Sequence, residues 1–75
     1  MNLDQFVELF KDVMEMNNQK IEPDDKFKEY DDWDSLAVLS ILAMVNQEFD
    51  IVIPRREFES VNTIRELYVL ILSKI

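Results

Sequence analysis

The sequence predicts an all-α protein, a small antiparallel bundle of three main helices and one short helix. Apolar residues recur at i, i+3 and i+4 over three separate stretches, the signature of helices that bury one face. The one β-like run, Ile51–Val52–Ile53, is too short and too solitary to argue for a sheet. With 75 residues and no cysteine, neither a disulfide nor a thiolate metal site can reinforce the chain, so a single core must hold residues 1–75 as one domain.

The first helix places Leu3, Phe6, Val7, Phe10, Val13 and Met14 on one face, with Asn2 as cap and Gln5 three residues on. Residues 17–33, "NNQKIEPDDKFKEYDDW", are polar, yet Ile21, Phe27, Tyr30 and Trp33 recur as apolar groups able to pin a long loop to the core. A long tethered loop in so small a domain usually has a use.

The central helix runs from about Ser35 to Phe49. Its apolar residues fall on two faces, with Val38, Ile41, Leu42, Val45 and Phe49 on one and Leu36, Leu39 and Ala43 on its neighbour. One face suffices for a core, and the second is surplus apolar surface for the loop or a partner to cover.

Asp50 is the expected stop, because aspartate tolerates left-handed backbone and the chain has no glycine for that job. Pro54 then opens a short helix as its first residue. The last helix has Asn62 as its expected cap, Glu66 near the positive end of the dipole, and Ile64, Leu67, Tyr68, Ile71 and Ile75 on one face.

Sixteen acidic against eight basic residues give a net charge of −8, the wrong sign for nucleic acid or an anionic membrane surface. Eleven of the acids lie in residues 1–34, while between Ser35 and Phe49 the only charge is Glu48. The N-terminus has no basic segment followed by an apolar stretch, and no run approaches the roughly 18 apolar residues of a membrane span. These features describe a cytoplasmic monomer without membrane insertion.

Chemistry is hard to build within the chain. A serine at a helix start, such as Ser35, reads first as a cap. As a nucleophile it would lack the usual base, since there is no histidine or cysteine, and an aspartate such as Asp34, with an ordinary pKa of about 3.9, accepts a hydroxyl proton poorly. A calcium loop starting at Asp32 would need glycine and glutamate where Ala37 and Ala43 stand, so Asp31, Asp32 and Asp34 read as a solvated patch and no metal site is expected.

The "DSL" at Asp34–Ser35–Leu36 resembles the modification site of acyl carrier proteins, whose serine is esterified by 4′-phosphopantetheine. The spacing carries more than the motif. Ile21, Phe27, Asp34, Phe49, Ile53–Pro54 and Asn62–Thr63 follow one another as in that family without gaps, and the resemblance covers about residues 3–72. It implies a thioester carrier, not an enzyme, with the covalent arm on Ser35 and with Asp34 and Leu36 flanking it.

The implied partners are a Mg²⁺-dependent phosphopantetheinyl transferase using coenzyme A, an acyl or aminoacyl ligase, and enzymes of acyltransferase or ketosynthase type. Leu36, Leu39 and Ala43 would form the docking face. Trp33 would serve as a contact for the transferase or arm, or simply as a loop anchor.

Ala37, Ser40, Asn46 and Gln47 stand where members serving bulk fatty acid synthesis typically carry acids, and Arg55 and Arg56 open the short helix where acids are common. Docking along the central helix should therefore lean on apolar contact, depend little on salt, and serve a specialised pathway. The stretch "FDIVIPRREFE" also looks like aminoacyl or D-alanyl carriers, which would load an amino acid on the same serine. A non-carrier interaction module, with Ser35 merely capping, is the more distant alternative.

Overall fold

A computed structural model describes residues 1–75 and shows helices only: α1 (Leu3–Val13), α2 (Ser35–Phe49), α3 (Arg55–Ser60) and α4 (Ile64–Leu72), with one 3-10 turn at Phe27–Glu29 in the long loop. The all-α bundle expected from the periodicity is what forms. Ile51–Ile53 passes through as irregular chain.

Local chemistry sets most of the helix ends. At α1, the Asn2 side chain accepts from the Gln5 amide and the Gln5 side chain accepts from the Asn2 amide, each at 2.8 Å, which closes a reciprocal capping box. At its other end Glu15 adopts left-handed backbone, φ 57°, so that its N–H reaches the Asp12 carbonyl and that of Met16 reaches the Lys11 carbonyl. Met16 then turns into the core. Asp50 ends α2 in the same region, φ 56°, as its tolerance of that conformation led one to expect.

Three sequence expectations about helix ends and faces need correction. Pro54 is the residue before α3 rather than its first helical residue. Thr63, not Asn62, caps α4, because its hydroxyl accepts from the Glu66 amide at 3.0 Å, while Glu66 reaches back to the amides of both Thr63 and Asn62. Ile75 lies past the end of α4 and is exposed, since the helix stops at Leu72 before Ile75 can join its buried face.

The core gathers Phe6 and Phe10 from α1, Ile41 and Val45 from α2, Phe58 from α3 and Ile64, Leu67 and Ile71 from α4 around Phe27 of the loop. Helix α2 is rotated slightly from the expected face. Ala37, Ile41, Met44 and Val45 are buried, while Val38, Leu42 and Phe49 pack at the margin. Packing of Phe49 on Phe6, and of the α2 start beside Val13 and Met14, shows that α1 and α2 run antiparallel.

The long loop is anchored to the core through its aromatic residues. Phe27 is fully buried, its ring 5.3 Å from Phe10 and 5.0 Å from Trp33. Trp33 stacks on Phe58 at 6.2 Å and 25°. Lys28 donates to the Phe58 carbonyl at 2.8 Å with its ammonium over the same ring, and its partial burial lowers its pKa. Arg65 pairs with Asp24 at 2.8 Å and gives its amide to the Pro23 carbonyl, tying the loop to the start of α4. These contacts fix the direction from which the chain enters α2.

Candidate functional site

The loop delivers Asp34 and Ser35 to the start of α2, and the structure decides which of them caps. Asp34 does: it has extended backbone, and its Oδ1 accepts from the Ala37 amide at 2.8 Å. Ser35 is the first helical residue. Its hydroxyl is exposed and makes no hydrogen bond within the protein, so the reading of Ser35 as a cap is corrected.

The amides of Ser35 and Leu36 have no acceptor in the protein, because residues so near a helix start have no carbonyl four positions back within the helix. They and the helix dipole favour an anion beside Ser35. Asp31, Asp32 and Asp34 are exposed around it and oppose that anion at moderate range. No group of these carboxylates is arranged to hold a metal ion.

A groove of about 460 Å³ lies beside Ser35, between the end of α1 and the start of α2. Val13, Met14, Leu36 and Ala37 supply its apolar wall, and Glu15, Asp32 and Asp34 line it with carboxylates. Glu15 and Met14 are about twenty residues from Ser35 in the chain. Only the antiparallel pairing of α1 with α2 brings them there, so no local pattern could have found them.

Leu36, Leu39 and Ala43 lie along one side of α2, all exposed, with Leu36 at 69% and Leu39 at 58%. Each leucine forgoes much of the roughly 1.5–3 kcal/mol that full burial of such a side chain contributes. Ala37, between them in the chain, is buried. Trp33 is half-buried against Phe27 and Phe58 and does the work of a loop anchor.

Fold and site together define a small helical domain that displays an exposed serine hydroxyl at a helix start. The family model described as "Phosphopantetheine attachment site" matches residues 4–71. The chain therefore belongs to the phosphopantetheine-binding family of carrier domains, in which 4′-phosphopantetheine is covalently attached. No curated protein and no solved structure gives a significant match. Carrier domains of this kind work with a phosphopantetheinyl transferase and with biosynthetic enzymes. No helix is long and apolar enough to cross a membrane.

Proposed function

We propose that Ser35 is the attachment residue and that the chain is an acyl carrier protein, presenting an acyl group to the enzymes of a fatty acid, polyketide or related specialised pathway. The observation that carries this reading is the state of the serine hydroxyls. Ser60 donates to the Glu57 carbonyl at 2.7 Å and Ser73 to the Leu70 carbonyl at 2.6 Å, each within its own helix turn. Ser40 is half-buried inside α2. Ser35 alone combines an exposed, unbonded hydroxyl with a helix start.

The residues present suit a phosphodiester there. The unpaired amides of Ser35 and Leu36 offer donors to phosphate oxygens, and Asp34 keeps the first turn wound by capping it. Ser35 Oγ would attack the pantetheine-side phosphorus of coenzyme A, the new P–O ester forming as the pyrophosphate P–O bond breaks and adenosine 3′,5′-bisphosphate leaves, with the hydroxyl proton passing to a base that the transferase would supply together with Mg²⁺. When attached, the arm holds its cargo as a thioester on its terminal thiol. Leu36, Leu39 and Ala43 provide the apolar contact for partner enzymes, and the domain itself carries rather than catalyses.

The groove beside Ser35 favours one second reading, an aminoacyl carrier. Its three carboxylates, Glu15, Asp32 and Asp34, would attract the ammonium group of an amino-acid cargo. An amino-acid adenylating ligase would then take the place of the acyl ligase.

Intact mass after incubation with coenzyme A and a broad-specificity transferase tests the assignment. The wild-type chain should gain one phosphopantetheinyl group and Ser35→Ala none. Equal loading of the alanine variant overturns Ser35 as the attachment residue, and no gain by the wild type overturns the carrier reading. Offering acyl and aminoacyl donors to the loaded chain then separates the two cargo classes.

A further inference from the structure

An arm attached at Ser35 has two sides of α2 on which to lie, and the fold treats them differently. Toward α3 the space is filled. Trp33 stacks on Phe58 at 6.2 Å, and the Phe27 ring lies 5.0 Å from Trp33 and 6.1 Å from Phe58. The Lys28 ammonium closes over the Phe58 ring at 5.0 Å. An arm entering there would have to part packed aromatic rings, and an interior of that density gives way only by losing contacts.

Toward α1 the surface is open. The groove of about 460 Å³ beside Ser35 has Leu36, Ala37 and Ser40 as its α2 wall. Leu36 and Ser40 share one side of the helix because they stand at i and i+4. Val13 and Met14 face them from the end of α1, each only half-buried.

Ser40 adds a hydroxyl that the fold leaves unused. Ser60 and Ser73 donate to carbonyls of their own helix turns, a common way for a helical serine to be satisfied. The Ser40 hydroxyl, half-buried in the groove wall, has no such partner in the protein. A polar group partly withdrawn from water and left unpaired is free to meet a donor or acceptor of a ligand.

We infer that, on the reading of Ser35 as the attachment residue, the 4′-phosphopantetheine arm rests in this α1–α2 groove rather than inside the bundle. The chemistry of the arm matches the lining. The dimethyl carbon close to its phosphate packs on Leu36, Val13 and Met14. Beyond it, the hydroxyl and amide N–H groups of the arm donate to the carboxylates of Glu15 and Asp32, and its amide carbonyls accept from Ser40. Leu36 belongs both to this groove and to the exposed face with Leu39 and Ala43. A partner seated on that face therefore takes a wall from the groove and shifts the arm toward its free state, which couples docking to presentation of the cargo.

The test is isotope-filtered NOE spectroscopy on a labelled chain that carries an unlabelled arm, once intact mass shows the arm on the wild type and not on Ser35→Ala. The dimethyl protons of the arm should give contacts to the methyl groups of Val13, Met14 and Leu36, and none to the rings of Trp33 or Phe58. Ser40→Phe fills the groove from its α2 wall. In samples that are loaded by mass and folded by thermal melt, the contacts to Val13 and Met14 should be lost.

Contacts to Trp33 or Phe58, no contacts from an arm shown to be attached, or contacts that survive in Ser40→Phe would each overturn the inference and leave the carrier reading standing. The wild-type spectrum alone is enough to do so if the variant does not fold. A wild-type chain that gains no arm overturns the carrier reading, and the resting place with it.

Discussion

Replacing Ser35 and Asp34 separately distinguishes a residue that holds the helix from one that holds the arm. Asp34 Oδ1 takes the Ala37 amide at 2.8 Å, so Asp34→Ala removes the N-cap of the longest helix and should cost about 0.5–2 kcal/mol. In a domain of this size each kcal/mol moves Tm by about 4–8 °C, which makes the loss readable in a thermal melt. Asp34→Asn keeps an oxygen for the same bond and should retain most of the stability.

Ser35→Ala removes a hydroxyl that is exposed and bonded to nothing in the protein, so it should stay within about 0.5 kcal/mol of wild type. Loading should show the opposite order, abolished in Ser35→Ala and retained in Asp34→Asn. Circular dichroism melts and intact mass on the same samples decide the matter. A Ser35→Ala variant that melts well below wild type while Asp34→Ala does not would show that the serine, not the aspartate, caps α2.

Other consequences follow from exposure, backbone conformation and titration. Leu39 is 58% exposed, so Leu39→Asp should leave the melt within about 0.5 kcal/mol of wild type, yet impair transfer by partner enzymes that must desolvate the new charge. Collapse of the melt would refute the docking role of that face. Glu15→Gly should raise stability by up to about 1 kcal/mol, because glycine accepts φ 57° without the steric cost of a side chain, and a lower denaturant midpoint would contradict this.

Burial, reinforced by the hydrogen bond to Asp25, pushes the Tyr30 hydroxyl above its ordinary pKa. The folded state thus holds that proton more tightly than the unfolded state. The resulting stability is fully present below the unfolded value of about 10 and is lost as pH rises through the folded value. Denaturant melts should weaken above about pH 10, and Tyr30→Phe should flatten that decline while costing about 0.5–1.5 kcal/mol at neutral pH for the lost hydrogen bond. An unchanged alkaline limb in Tyr30→Phe would refute it.

What the sequence determined by itself was whatever depends on neighbours a few residues apart. The capping box of Asn2 and Gln5, the span of α2 from Ser35 to Phe49 and the left-handed stop at Asp50 follow from spacing and backbone preference, whereas Leu36, Leu39 and Ala43 were legible only as a surplus apolar face whose exposure the packing decided. The carrier assignment was legible for a related reason, since the motif and the intervals around it lie along a single chain.

Adjacent residues of similar chemistry were not separable in this way. Asp34 and Ser35, like Asn62 and Thr63, each offer a capping oxygen, and only the angle at which the preceding chain enters the helix selects one. That angle is set by long-range contacts such as Trp33 on Phe58, Lys28 on the Phe58 carbonyl and Arg65 on Pro23 and Asp24. The tertiary structure alone likewise placed Glu15 beside Ser35 and rotated α2 to bury Ala37 and Met44, because packing two helices antiparallel joins residues distant in sequence and local periodicity carries no record of which ends meet.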